Sequence, residues 1–115
     1  MSFKATSREV GGVTVVDISG RITLGEGSAM LREMMRDMVE KKHQRVVLNL
    51  SDVNYVDSSG IGELVSGFTT IKNAGGELKL LNLTKKVHDL LQITKLFTVF
   101  EVHSDERSAV NSFKS

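Results

Sequence analysis

Segments with the apolar pattern of a helix alternate with segments typical of a strand, and this alternation constrains the fold more than any other feature. Residues 31–38 place apolar side chains at positions i, i+3, i+4 and i+7, which lie on one face of a helix, and residues 61–68 repeat the spacing. Short apolar runs at 45–50 and 77–83 are typical of buried strands. Strands that alternate with helices are joined by crossover connections, so the pattern predicts a largely parallel sheet.

Turn and cap signals nearer the ends of the chain complete the pattern. Gly11 and Gly12 predict a turn between strands at 3–10 and 13–19, and Gly20 is expected to end the second of these strands. Thr84 is expected to cap a short helix, and Ser104 a last helix, with a strand over 97–102 between them. The predicted order is β-β-α-β-α-β-α-β-α. We therefore expect one α/β domain over residues 1–115, with a mostly parallel five-stranded sheet, an antiparallel N-terminal edge strand and about four helices.

The composition excludes several classes of function. The chain of 115 residues has no cysteine, which excludes disulfides, thiolate zinc sites and thiol nucleophiles. Its formal net charge of +1 provides no broad electrostatic surface for nucleic acid or an anionic membrane. No apolar run approaches the roughly 20 residues needed to cross a bilayer, and the N-terminus lacks the pattern of a secretory signal. We therefore expect a cytoplasmic protein that binds neither a membrane nor nucleic acid directly.

One loop is a candidate functional site because it lies between a predicted strand and a predicted helix. Residues 53–62 include Asp57 and Ser58, both good N-cap residues, directly before the second helix. One interpretation is that this segment only caps the helix. The other is that a hydroxyl here accepts a phosphate, since backbone N–H groups and the helix dipole favour an anion by about 0.3–1 kcal/mol. A phosphate adds about −1.5 to −2 charges, which the fold would tolerate and a partner docked on the loop would not.

The sequence around this loop resembles a known family. Residues 57–62 (Asp-Ser-Ser-Gly-Ile-Gly) are preceded by 46–50 (Val-Val-Leu-Asn-Leu) and followed by 72–78 (Lys-Asn-Ala-Gly-Gly-Glu-Leu). Together these segments resemble the anti-sigma factor antagonists, the stand-alone bacterial members of the STAS domain family (sulfate transporter and anti-sigma factor antagonist). The resemblance covers essentially the whole chain, and it implies a STAS-like fold and a regulatory function without enzyme activity.

The resemblance also implies roles for individual residues. Ser58 matches the serine that a kinase-type anti-sigma factor phosphorylates in this family, although physical reasoning alone does not separate it from Ser59. In this family the unphosphorylated protein binds the anti-sigma factor and frees the sigma factor, phosphorylation prevents binding, and a serine phosphatase of the metal-dependent type restores it, so the resemblance implies the same cycle here. The partner-binding residues implied are Asp57, Ser59, Gly60, Gly62, Glu63, Arg21 and Thr23.

Two of these positions depart from the family pattern. Thr23 stands where many relatives carry an aspartate, and Glu63 stands where relatives often have an apolar or small residue. Both changes alter the expected contact surface. We hypothesise that the partner offers a basic contact to Glu63.

Other functions and sites are weighed against this one. The chain could instead be a scaffold subunit of a signalling assembly, or a module that binds a nucleotide or lipid near the strand ends.

We expect no catalytic residue, metal or cofactor, because the three histidines (His43, His88 and His103) lack ligand spacing and no Gly-x-Ser-x-Gly motif is present. The methionines between 30 and 38 are expected to face the core, with Met30 and Met34 as an alternative exposed rim for a protein partner. A monomer or weak dimer is expected.

Overall fold

The computed structural model describes residues 3–113. The elements in chain order are β1 (Lys4–Val10), β2 (Val13–Ile22), α1 (Glu26–Glu40), β3 (Arg45–Val56), α2 (Ser58–Asn73), β4 (Glu77–Leu81), α3 (Lys85–Ile93), β5 (Val102–His103) and α4 (Glu106–Asn111).

The strands form one five-stranded sheet in the order β1-β2-β3-β4-β5. β1 pairs antiparallel with β2 through a tight turn at Gly11 and Gly12, whose φ angles of 55° and 81° suit glycine. The other neighbouring strands are parallel, and a helix lies between each of them and the next along the chain. This arrangement confirms the predicted fold class, including the antiparallel N-terminal edge strand.

The sheet is covered on both faces. Val16 and Leu48 belong to a large core that α1, α2 and α3 cover, whereas Val15 and Val47 pack with Ala109 of α4 in a smaller core. Because successive strand residues point to opposite faces, both sets of side chains are buried. Two covered faces explain why β2 and β3 are nearly continuous apolar runs in the sequence.

The second and third strands are longer than the sequence pattern predicts. Gly20 lies inside β2 instead of ending it, with a φ angle of 98° at a point where the pairing with β3 changes register. Glycine adopts this conformation at little cost, so the strand bends and continues to Ile22. The neighbouring strand continues to Val56 instead of ending at Leu50. Both strands therefore carry the loops that follow them to the same end of the sheet.

The prediction of a strand over 97–102 is wrong except at its last residue. The observed β5 contains only Val102–His103. The backbone N–H groups of Leu96 and Phe97 both donate to the Leu91 carbonyl oxygen, which extends the end of α3 into a turn. These residues therefore do not pair with β4, although their apolar composition resembles that of a strand.

Side chains cap the last two helices. Thr84 caps α3 as predicted, and its hydroxyl accepts a hydrogen bond from the N–H of Val87 at 3.4 Å. The last helix is capped by Asp105 instead of Ser104, because the Asp105 carboxylate accepts a hydrogen bond from the N–H of Ser108 at 2.9 Å. No helix within residues 3–113 is long and apolar enough to span a bilayer.

Candidate functional site

The first turns of α1 and α2 meet at the end of β2, and glycine makes this approach possible. A Cβ atom on Gly27, in the first turn of α1, would lie 2.6 Å from the carbonyl oxygen of Arg21. A Cβ atom on Gly60, in the first turn of α2, would overlap the carbonyl oxygen of Ile22. Both helix N-termini are therefore held against consecutive residues of one strand.

Asp57 joins the two loops at this corner. Its Oδ1 accepts a hydrogen bond from the N–H of Gly60 at 2.9 Å, and its Oδ2 accepts one from the N–H of Leu24 at 3.0 Å. Its own N–H donates to the Ile22 carbonyl oxygen at 3.2 Å. Donation from Gly60 and then Leu24 holds the pKa of the Asp57 carboxyl below its ordinary value. The carboxylate therefore caps α2 and also fixes the loop that leads to α1.

Ser58 is the first residue of α2, and its side chain is exposed. Ser59 is half-buried, and Gly60 is buried beneath the helix start. Gly62 is exposed, and a Cβ atom added there would meet nothing within 4 Å. Ser58 and Gly62 are therefore accessible from outside, whereas Gly60 allows α2 to approach β2 closely.

The end of β2 brings two further predicted residues to the same corner. The Arg21 guanidinium lies over the Tyr55 ring, 5.2 Å from its centroid. Thr23 is half-buried, and its carbonyl oxygen accepts a hydrogen bond from the N–H of Ser28 at 3.0 Å. Leu24, next to Thr23, has 79% of its surface exposed. The predicted loop after β2 thus lies beside the loop that carries Ser58.

The charge of Glu63 already has a partner within the chain. Its Oε2 accepts hydrogen bonds from Arg32 Nη2 at 2.7 Å and from Nε at 3.1 Å, and its side chain is only 16% exposed. Arg32 belongs to α1, and its pKa is raised above the ordinary value by this hydrogen bond. A partner at this position meets a neutralised pair more than a single acidic group. No sequence signal connects these two residues, because only the packing of α1 on α2 brings them together.

A groove between the start of α2 and α3 was not predicted. It has a volume of about 660 Å³, and α3 contributes Lys86, Asp89, Leu90 and Ile93 to it. Ser58 lies on the opposite wall, together with Tyr55, Val56, Asp57 and Ile61. Tyr55 is 43% exposed and Ile93 is 77% exposed, so apolar surface surrounds Ser58 on this side. The spacing 86, 89, 90 and 93 marks one face of α3, and this periodicity was the available sequence signal.

The three histidines make different local contacts. His43 Nδ1 lies 3.0 Å from Thr14 Oγ1, and His103 Nε2 lies 2.6 Å from a Glu101 carboxylate oxygen. The His88 ring packs edge-on against Phe97, with 4.8 Å between the ring centroids. Within residues 3–113 no group of three or more His, Asp or Glu side chains could hold a metal ion.

The cleft beside β4 and β5 is a second concave surface. It has a volume of about 520 Å³, and its polar lining includes Asn82, Thr84, His88 and His103. It lies at the carboxyl ends of these two strands, where parallel α/β sheets commonly bind ligands.

The methionines of α1 divide between the core and the surface. Met35 and Met38 are buried, and Met34 is partly buried against the same core. Met30 is 43% exposed. The core-facing interpretation therefore holds for most of the group, and Met30 alone lies on an open surface.

The sequence of this chain is similar to sequences of known proteins. The family model described as the STAS domain matches residues 4–109. The anti-sigma-B factor antagonist of Bacillus subtilis is 33% identical over 95 residues, which cover 83% of this chain and 85% of that protein. The anti-sigma F factor antagonist of Paenibacillus polymyxa is 28% identical over 104 residues, which cover 90% of this chain and 88% of that protein.

Solved structures agree in fold. The anti-sigma factor antagonist from Mycobacterium paratuberculosis superposes with a TM-score of 0.85 at 20% identity, covering 96% of this chain and 93% of that one. The Bacillus cell fate determinant SpoIIAA in its phosphorylated form superposes with a TM-score of 0.74 at 16% identity, covering 96% and 100%. Because the STAS domain model matches nearly the whole chain, the chain belongs to the STAS domain family. Its named relatives within that family are anti-sigma factor antagonists, which confirms the resemblance found in the sequence.

Proposed function

We propose that this protein is an anti-sigma factor antagonist controlled by phosphorylation of Ser58. The unphosphorylated form binds an anti-sigma factor that is also a serine kinase, and this binding releases the sigma factor in the cytoplasm. The kinase transfers the γ-phosphate of ATP to the Ser58 hydroxyl, and a serine phosphatase of the metal-dependent type removes it. The protein itself acts by binding and has no enzyme activity. The observation that carries the proposal is an exposed serine at the start of a 16-residue helix, with apolar surface around it.

The position of Ser58 suits a reversible phosphate. The first N–H groups of α2 and its dipole favour an anion there by about 0.3–1 kcal/mol. Asp57 opposes the phosphate by like-charge repulsion, but its carboxylate is bound to two backbone N–H groups. The exposed Ser58 side chain also keeps the phosphate in water. The fold should therefore accept the modification without unfolding.

The same position suits a switch of binding. Leu24, Tyr55 and Ile93 are exposed apolar side chains close to the corner that carries Ser58, and burial of such residues stabilises a protein interface. We propose that Arg21, Thr23, Asp57, Ser59, Gly62 and Glu63 belong to the contact surface and that Gly60 positions it. A phosphate at its centre would have to be removed from water on binding, which would cost about 2–5 kcal/mol, or roughly 30-fold to several thousand-fold in affinity.

The direct test is mass spectrometry with site mapping after incubation with ATP and the host's candidate serine kinases of the anti-sigma type. We expect one phosphate on Ser58, no phosphate in Ser58→Ala, and full phosphorylation of the matched control Ser59→Ala. A phosphate on Ser59, or no modification by any candidate, would contradict the proposal.

Small-molecule binding is a second candidate function. The cleft lined by Asn82, Thr84, His88 and His103 supports it, because it combines hydrogen-bonding groups with the Phe97 ring at the strand ends. Thermal-shift measurements with nucleotides and lipids test this candidate. A shift that Asn82→Ala abolishes would support it, and no shift with any of these compounds would count against it.

A further inference from the structure

The groove beside Ser58 contains both an acidic and a basic group from α3. Within residues 3–113 the charged side chains that line it are Asp57, Lys86 and Asp89. Arg21 lies nearby, over the Tyr55 ring that forms part of the wall. A phosphate on Ser58 would enter a groove whose charges are set by these four residues.

Two of the four charges are already held by local hydrogen bonds or ion pairs. The Asp57 carboxylate is bound by the N–H groups of Gly60 and Leu24. Asp89 is paired with Lys85 Nζ at 2.9 Å, and His88 Nδ1 lies 3.6 Å from its other oxygen. Arg21 forms no ion pair within residues 3–113, but its guanidinium lies over the Tyr55 ring and Arg21 is not among the residues that line the groove.

Lys86 differs from these groups. It lines the same groove as Ser58, it is exposed, and it forms no ion pair within residues 3–113. Its long side chain can move across the groove with three N–H donors on the ammonium group. Its neighbour Lys85 carries the same charge, but that charge is held by Asp89.

We propose that Lys86 is the intramolecular counter-charge for the phosphate on Ser58. This inference rests on the proposed function, because it needs a phosphate at that position. When the ammonium group pairs with the phosphate, the Lys86 side chain crosses the mouth of the groove. It then lies over apolar side chains from both walls, Ile61 of α2 and Leu90 and Ile93 of α3. Phosphorylation therefore adds a charge and also covers apolar surface that a partner would use.

The test measures the second pKa of the phosphate itself, which is about 6 for free phosphoserine. Phosphoserine is placed at position 58 by genetic encoding, so no kinase is needed, and the pKa is followed by phosphorus NMR. A unit charge about 5–6 Å away in water, partly screened by salt, should lower this pKa by about 0.3–0.6. Lys86→Gln should therefore raise the pKa by that amount. Lys85→Gln, the matched control, should raise it by less, since its only effect is to leave Asp89 without its ion-pair partner, and Lys86→Arg should keep the parent value.

Two results would overturn the inference. One is a Lys86→Gln protein with the parent pKa, and the other is an equal rise in Lys85→Gln or in Arg21→Gln. Because Arg21, Lys85 and Lys86 are all exposed, each variant should melt close to the parent temperature without phosphate, which shows that the fold is retained. The phosphate is built in, so this failure is distinct from a failure of any kinase to modify Ser58.

Discussion

A pair of glycine substitutions in the first turns of α2 tests how the Ser58 loop is held. Gly60→Ala would place a Cβ atom on the Ile22 carbonyl oxygen and 2.7 Å from Val56 Cγ1. The main obstacle is backbone, so no side-chain rotation relieves it and α2 must move away from β2. Gly62→Ala, two residues later on the same helix, would place a Cβ atom in open solvent. Both changes add one methyl group to the same helix, but the methyl group is blocked by backbone at position 60 and open to solvent at position 62.

The two substitutions are expected to change the free energy of unfolding in opposite directions. Overpacking costs about 1–3 kcal/mol, and the rigid obstacle at Gly60 places this substitution at the upper end even after the helix propensity of alanine is added. Gly62→Ala should stabilise the protein by about 0.5–1 kcal/mol, because alanine loses less entropy in a helix. At about 4 °C per kcal/mol, Gly60→Ala should lower Tm by roughly 8–12 °C, and Gly62→Ala should raise it by about 2–4 °C.

Urea unfolding at neutral pH and a calorimetric scan measure both variants. Gly60→Ala should also slow the phosphorylation of Ser58, because a shift of α2 disturbs the Asp57 hydrogen bonds that position the Ser58 loop. If Gly60→Ala were as stable as the parent, or if Gly62→Ala were equally destabilised, the close approach of α2 to β2 would not be what holds this corner.

Four further predictions concern the same surface. Ser58→Ala should bind the anti-sigma factor constitutively and Ser58→Asp should bind weakly in calorimetric titration; tight binding by Ser58→Asp would refute the charge mechanism. The pKa of Asp57 is lower in the folded state, so the charged carboxylate contributes to the free energy of unfolding at neutral pH, and this contribution is lost as the pH falls through the folded pKa. In urea unfolding, Asp57→Asn should therefore lose less stability than the parent between pH 6 and pH 3. Arg32→Gln and Glu63→Gln should have non-additive effects on stability in a double-mutant cycle, and additive effects would show that the pair is not formed in solution. Charge reversal of Glu63 should also weaken partner binding, whereas Arg32→Gln, which leaves the Glu63 charge free, should not; equal effects of the two changes would remove the basic contact that we hypothesised.

The sequence determined the features that depend on neighbours along the chain. The apolar spacing at 31–38 and 61–68 predicted α1 and α2, and an Asp-Ser pair before the second of these segments predicted where that helix begins. These signals are local, because a helix face repeats every three or four residues and a cap bonds to an N–H group three residues away. The parallel order of the sheet followed from the alternation of strands and helices.

The tertiary structure decided the features that depend on residues far apart in the chain. The Arg32–Glu63 pair joins residues 31 positions apart, and the groove beside Ser58 needs α3 to pack at the end of β3. The continuation of β2 through Gly20 and the loss of most of the predicted last strand also depended on which backbone partners were available. Apolar pattern records which side chains prefer burial, but it does not specify which surfaces meet. That choice is made by strand register and helix packing, and for this reason the environment of Ser58 became visible only in the folded chain.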